Sequence, residues 1–254
     1  MSSTETAFVE TETNFGRFVR TFRGGVIVRD LIPDAPQMDP NADYYFPDDN
    51  TIVELKCLHT DPSNNDDLNR RFWSVCARLG YSTEQALRIA LREIALPRDV
   101  ALGVIAKSLD HVRRALRKAN SQIAATKRQL DRANASGLVI FANEKNLALS
   151  PVELIRFMST ELRTTREGSY IDGVIYMTVN LYYPIGNDGI ARALWIPGYR
   201  NKGTSRLTDF VDNLGTAWFK FREAADSNLA PTVMALNLPL SEYNMHPLPP
   251  IRTR

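Results

Sequence analysis

The stretch Asn41–Leu58, NADYYFPDDNTIVELKCL, reads as two short strands joined by a tight turn. Ala42–Phe46 and Thr51–Cys57 are rich in the β-branched and aromatic residues that suit a pleated surface. Pro47-Asp48-Asp49-Asn50, between them, is strong turn chemistry. A hairpin closed at Asp48–Asp49 sets the register: Phe46 faces Thr51, Tyr44 faces Val53, and Asp43 faces Glu54. Side chains opposed in this way stand about 5 Å apart on one face. Lys56 emerges on the face of Glu54, about 6–7 Å along the strand. Two carboxylates and an ammonium are therefore expected on one side of a sheet. Ile52 shares that side, while Val53, Leu55 and Cys57 point to the other.

Directly opposed carboxylates repel unless a cation lies between them. Mg²⁺ suits such a pair, because it takes one or two carboxylates and otherwise prefers water and phosphate oxygens. A divalent cation there polarises a phosphodiester, and a lysine beside it orients a water or offsets developing negative charge. An acid-x-Lys tripeptide alone arises by chance about once in a chain of this size. Here it lies within an apolar strand and opposite a second acid.

Asp43 followed by Glu54-Leu55-Lys56 resembles the motif of the PD-(D/E)XK nuclease superfamily, an acid on one strand and Glu-x-Lys on the next. The first half departs from that pattern, since Ala42 and not proline precedes Asp43. Literal Pro-Asp pairs stand at Pro33-Asp34 and Pro47-Asp48, but the hairpin puts Asp48 in the turn, far from Glu54. The similarity covers roughly residues 5–60. It implies an α/β fold with a restriction-endonuclease-like core: helix, three-strand antiparallel meander, helix, strand. It also implies Asp43, Glu54 and Lys56 as catalytic residues. Mg²⁺, with Mn²⁺ as substitute, would sit on Asp43 and Glu54.

Length and composition set the bounds. The chain has 254 residues, of which 44% are hydrophobic, enough for one large domain with a sizeable core. Its net charge of +2 is mild, so a nucleic-acid surface must come from local clustering. Cys57 and Cys76 lack metal-ligand spacing and read as reduced core residues. His59, His111 and His246 show no zinc spacing, and His59 reads as a surface-loop histidine. The first residues, MSSTETAFVETET, lack the pattern of a signal peptide, and no apolar run approaches a membrane span. A soluble, cytoplasmic protein with no membrane contact is expected. There is no Walker loop, Rossmann fingerprint or Gly-x-Ser-x-Gly elbow.

In chain order, residues 4–22 read as an amphipathic helix with Phe8, Phe15, Phe18, Val19 and Phe22 on one face. Glu12 falls on that face. The resemblance offers it as a further metal ligand; a later helix start, capped by Thr13 or Asn14, would leave it solvated. Gly24-Gly25 stops the helix, and Val26–Ile32 reads as the first strand. After the hairpin come helices over 68–79, 82–94 and from Pro97 to about Ala133. Region 64–134 is thus expected as a helical insertion within a single domain spanning 1–254. Leu138–Ala142 reads as a strand buried on both faces, and Ser150-Pro151 opens a helix. Ile171–Tyr183 and Ala191–Ile196 read as strands, Pro197–Gly203 as a loop with backbone-binding potential, and 205–221 as a last helix. The tail 228–254 holds five prolines.

The long helix carries the charge asymmetry. Between Arg98 and Arg132 stand nine Lys or Arg and three Asp. Arg113, Arg114, Arg117 and Lys118 cluster, and Lys127 and Arg128 follow. Such a row suits phosphates, although a solvated helix face explains it equally. The expected function is a metal-dependent nuclease, with DNA favoured over RNA as partner and an endonuclease as the mode. Cutting both strands of a duplex needs two sites, which a homodimer would supply. The alternative is a catalytically inactive scaffold of the same fold that binds nucleic acid or protein.

Overall fold

The computed structural model describes residues 10–32, 41–59, 66–144, 151–164, 169–179, 181–184, 191–200, 204–225 and 251–252. Helix α1 (Thr11–Val19) precedes β1 (Val26–Ile27), the short helix α2 (Val28–Leu31) and the hairpin β2 (Tyr44–Phe46) and β3 (Thr51–Leu58). Three helices follow: α3 (Asp66–Arg78), α4 (Thr83–Ala90) and α5 (Arg98–Gln129). Then come β4 (Ser136–Asn143), α6 (Pro151–Thr164), β5 (Gly173–Thr178), β6 (Leu181–Pro184), β7 (Ala191–Arg192), β8 (Trp195–Tyr199), α7 (Ser205–Ala225) and β9 (Ile251–Arg252).

The hairpin has the expected register, with Tyr44 opposite Val53, Tyr45 opposite Ile52 and Phe46 opposite Thr51. Its turn closes through the Asn50 N–H donating to the Pro47 carbonyl at 3.1 Å. Asn50 takes the left-handed conformation at φ 48°, which asparagine tolerates better than most residues. The hairpin belongs to a mixed sheet of order β1-β2-β3-β4-β5-β8. Its first three strands are antiparallel, β4 is parallel to β3, β5 is parallel to β4, and β8 returns antiparallel. Parallel neighbours need crossover connections. Helices α5 and α6 are those crossovers, and both contribute to one core, where Val112, Leu116, Ile123, Leu154 and Met158 meet Ile52, Val139 and Tyr176. Helices α1 and α7 cover the other face over Val53, Leu55, Ile140 and Met177. The result is an α/β fold with helices on both faces of the sheet.

The second core is aromatic. Phe15 lies 5.0 Å from Trp218 between ring centroids, and Phe46 lies 5.0 Å from Phe210. Trp218 is fully buried; truncating such a side chain to alanine costs about 3–5 kcal/mol.

Several elements differ from the expectation. The strand expected over Val26–Ile32 stops at Ile27 and turns into α2. Its partner β2 is three residues long, so there is no further ladder to join. Helix α1 ends at Val19, short of Phe22, and the part of 4–22 before residue 10 lies outside the described residues. Helix α4 ends at Ala90 and α5 at Gln129, ahead of the expected Ile94 and Ala133. The single strand expected over Ile171–Tyr183 is two, β5 in the main sheet and β6 in a small sheet of order β7-β6-β9. Pro197, Gly198 and Tyr199, expected in a loop, are the end of β8. That strand is the sheet edge, where a residue without an N–H is tolerated. Most of the proline-bearing tail lies outside the described residues; Ile251 and Arg252 pair with β6. No described helix is long and apolar enough to cross a membrane.

Helices α3 and α4 build a small satellite core with the start of α5, around Val75, Cys76, Ala86 and Val100. Ser82 and Gln85 form a reciprocal cap at the start of α4. The second half of α5 lies on the sheet itself, and its alanines let it approach closely: Ala119, Ala124 and Ala125 are all buried.

Candidate active site

Strand β2 begins at Tyr44, opposite Val53, while β3 runs on past that pair to Leu58. A gap opens where the hairpin partner stops, and the Asp43 side chain fills it. Its Oδ2 accepts a hydrogen bond from the Leu55 N–H at 2.8 Å. The backbone leading into Asp43 is held by α5. The Ala42 N–H donates to Thr126 Oγ1 at 2.8 Å, and Gln122 Nε2 donates to the Asn41 carbonyl at 3.0 Å. The Asp43 carbonyl accepts from the Val28 N–H at 2.9 Å, which ties it to the start of α2.

Glu54 projects from β3 toward α5 and is 1% exposed. Lys56 Nζ pairs with Glu54 Oε1 and also donates to Gln122 Oε1 at 3.0 Å. Glu54 Oε2 is buried and has no hydrogen-bond partner among the described residues. The carboxyl groups of Asp43 and Glu54 lie close enough to share a hydrogen bond. Burial pushes the Glu54 carboxyl up to about 8, with the Asp43 charge adding to the rise and Lys56 opposing it. Burial also raises Asp43, against the Leu55 N–H and the Lys56 ammonium. Two acids this close and this dry cannot both ionise without a compensating cation. The donor set fits a hard divalent cation: two neighbouring carboxylates, one carrying a buried oxygen that no donor among the described residues engages.

A second group lies on the other side of β3. Cys57 alternates away from Lys56 and packs against the core under α1 and α7. Ligand atoms of Glu12, Cys57 and His59 lie within 4.8 Å of one another. Burial, with the charges of Glu144, Glu12 and Asp43, pushes the Cys57 thiol well above its ordinary range. His59 Nδ1 lies 2.7 Å from Glu144 Oε2. Glu144, just past β4, is 1% exposed, and its Oε1 accepts from the Thr11 N–H at the start of α1 at 3.3 Å.

The structure thus brings Asp43, Glu54 and Lys56 together. Glu12 is exposed in the first turn of α1, not on its buried face, and meets Cys57 and His59. The reading of Cys57 as a plain core residue, and of His59 as a plain surface histidine, misses that meeting. Its signal is the Cys-x-His spacing across the end of a strand, which sets two ligand types on one side. Glu144 falls between the strand expected over Leu138–Ala142 and the helix opened by Ser150-Pro151, and no spacing reveals its contact with His59. Gln122 and Thr126 fall where the apolar stripe of α5 fades; the buried side of the helix continues there in alanine, glutamine and threonine.

The basic residues of α5 divide. Arg114, Arg117, Lys118 and Arg128 are exposed. Arg113 is engaged by Asp110 at 2.6 Å and Glu161 at 3.1 Å, and stacks over Phe157. Lys127 is not a surface cation: it is buried, its Nζ stands 5.6 Å from the Tyr170 ring centroid, and burial lowers its proton affinity. Arg113 and Arg117 line a cleft of about 480 Å³ between α5 and α6, with Asn120, Glu161 and Ser169.

No protein-family model, curated protein or solved structure matches this chain.

Proposed function

We propose that this chain is a metal-dependent nuclease of the PD-(D/E)XK kind, hydrolysing phosphodiester bonds, with DNA as the favoured polymer and internal cleavage as the mode. The observation that carries this reading is the buried Glu54 Oε2, without a donor among the described residues, beside Asp43 and two residues from Lys56 on the same face of β3. A structural ion pair needs one acid and one base; a second acid forced against the first is costly unless it holds something. The order of elements supports the reading too: a helix, an antiparallel meander, a helical crossover and a strand parallel to the third.

Asp43 and Glu54 would hold Mg²⁺, or Mn²⁺ in its place. A divalent cation there supplies Lewis acidity toward a phosphodiester. Lys56 would orient the attacking water or offset the charge that develops on the phosphate, once a cation replaces its Nζ at Glu54 Oε1. Gln122 holds the Lys56 side chain and, through Asn41, the approach to Asp43. Arg114 and Lys118 stand in one i, i+4 row with Gln122 along α5, so exposed cations lead toward the site. Lys118 is about 6 Å and Arg114 about 12 Å from Gln122 along the helix axis. These are phosphate-binding candidates, with Arg117 and Arg128 nearby on the same helix.

The second reading is a partner-binding scaffold. Leu87, Leu91, Leu96 and Leu102, all exposed on or next to α4 and the start of α5, favour it. One experiment separates the two. Plasmid DNA, and structured and unstructured RNA, are incubated with purified protein and Mg²⁺, Mn²⁺ or EDTA, beside Lys56→Ala. Metal-dependent cutting that the variant loses is the expected result and identifies the polymer. A folded protein that neither cuts nor binds Mn²⁺ would sink the nuclease reading.

A further inference from the structure

Strand β3 presents a second and chemically different donor set on the side away from Glu54 and Lys56. We infer that Glu12, Cys57 and His59 form a binding site for a borderline-soft divalent ion of the Zn²⁺ class, separate from the Asp43–Glu54 pair. The inference stands on its own geometry and not on the nuclease reading.

Three observations converge. Ligand atoms of the three residues already lie within 4.8 Å of one another, so a small movement brings them around one ion. The residue types are a thiolate, an imidazole and a carboxylate, which together select zinc-like ions and suit neither Mg²⁺ nor Ca²⁺. His59 also has a carboxylate behind it, as zinc-binding histidines commonly do: its Nδ1 lies 2.7 Å from the buried Glu144 carboxylate, an arrangement in which Nε2 would be the ligating nitrogen. Glu144 is itself fixed by the Thr11 N–H at 3.3 Å, so the orienting group is anchored to the helix that carries Glu12.

The surroundings favour a cation. The carboxylates of Glu12, Glu144 and Asp43 all lie within electrostatic reach of the Cys57 sulfur. Glu12 and His59 are exposed and Cys57 is half-buried, so an ion reaches the site from solvent. Three protein ligands leave a fourth tetrahedral position for water or a further ligand.

The test uses full-length reduced protein, stripped with EDTA and desalted, and Co²⁺ as a spectroscopic stand-in for Zn²⁺. One equivalent of Co²⁺ is expected to give a thiolate-to-cobalt charge-transfer band that Zn²⁺ abolishes and a large excess of Mg²⁺ does not. Cys57→Ser should lose the band, while Glu54→Gln and Cys76→Ser should keep it. Glu144→Gln is expected to weaken Zn²⁺ binding about 10- to 100-fold, the usual cost of losing a carboxylate behind a ligating histidine. His59→Ala, at a largely exposed position, should weaken it at least as much with its circular dichroism unchanged. No charge-transfer band in the parent protein, a band that survives Cys57→Ser, or a band that vanishes in Cys76→Ser would each overturn the inference. The band reports on sulfur alone, so its failure is distinct from a failure to cleave nucleic acid.

Discussion

Two donor sets meet on the two sides of one strand, β3, and they differ in almost every physical respect. On the side of α5 stand a 1% exposed carboxylate, a lysine and an amide, all locked by hydrogen bonds to one another. On the side of α1 stand a half-buried thiol with an exposed imidazole and an exposed carboxylate. The first set is hard and dry, the second softer and wet. Burial makes the first an electrostatic problem that only a proton or a cation solves; exposure makes the second a site that an ion can occupy or leave freely. The run Glu54-Leu55-Lys56-Cys57-Leu58-His59, across the end of β3, brings members of both sets into six residues on alternating sides, so the two sides can be broken separately.

The largest expected effect comes from the dry side. Lys56→Ala should lower cleavage about 10²- to 10³-fold, the range seen when one group that stabilises developing charge is removed. Lys56→Arg tests whether a charge suffices, since a planar guanidinium cannot occupy the space of a point ammonium between Glu54 and Gln122. Recovery of full activity by arginine would show that Lys56 acts only through its charge.

Next is Gln122, whose two ends hold Lys56 and the Asn41 carbonyl. Gln122→Ala should lower kcat about tenfold with KM little changed, because misplacement of a reacting group by a fraction of an ångström is felt in the barrier. Thr126→Val, which keeps the shape of the side chain and deletes the acceptor for the Ala42 N–H, should cost about 1–2 kcal/mol of stability by chemical denaturation. Gln122 acting only as buried packing would show neither the kcat loss nor its independence from KM.

These two residues also mark where the sequence stops being legible. The hairpin register follows from turn chemistry and alternation, and both survive folding because they are local. The crossover strand β4 is legible for the same reason, since a run buried on both faces has few other places to go. The limit lies in α5. Its first half has the strong leucine and valine stripe yet only part of it reaches the main core, whereas its second half, polar and alanine-bearing, lies on the sheet. Small residues there report close approach, not exposure, and periodicity by itself does not separate the two. Lys127 shows the same limit: its place in a basic run suggests solvent, but the helix rotates it under Tyr170. The partnership of Glu12, Cys57, His59 and Glu144 joins three segments far apart in the chain, so no local pattern contains it.

The dry side also makes stability depend on pH in a definite direction. Glu54 has a folded-state value of about 8, above the ordinary 4.5. The folded protein therefore binds more protons than the unfolded chain between those values, and stability falls as pH rises through that window. For one proton the slope is at most about 1.4 kcal/mol per pH unit. Melting in EDTA should show this fall, and Glu54→Gln should flatten it. Mg²⁺ should stabilise more at pH 8 than at pH 5, because it replaces the proton shared with Asp43. Equal stabilisation at both values would mean that the cation binds elsewhere.

The smallest effect concerns the approach to the dry side along α5. Arg114 and Lys118 are exposed and lie in the row that leads to Gln122, whereas Lys127 is buried. Each phosphate contact adds about 0.9 to the slope of log K against log salt on duplex DNA. The double variant Arg114→Ala, Lys118→Ala should reduce that slope by about 2 and weaken binding evenly across sequences. Lys127→Met, which keeps the aliphatic stem over Tyr170 and deletes the charge, should leave the slope unchanged. The comparison is sharper than either variant alone: all three cations belong to one helix and one run of sequence, and only burial distinguishes them. A slope that responds to Lys127→Met and ignores the double variant would mean that nucleic acid approaches from the Tyr170 side, and that the row pointing at Gln122 is an ordinary solvated helix face.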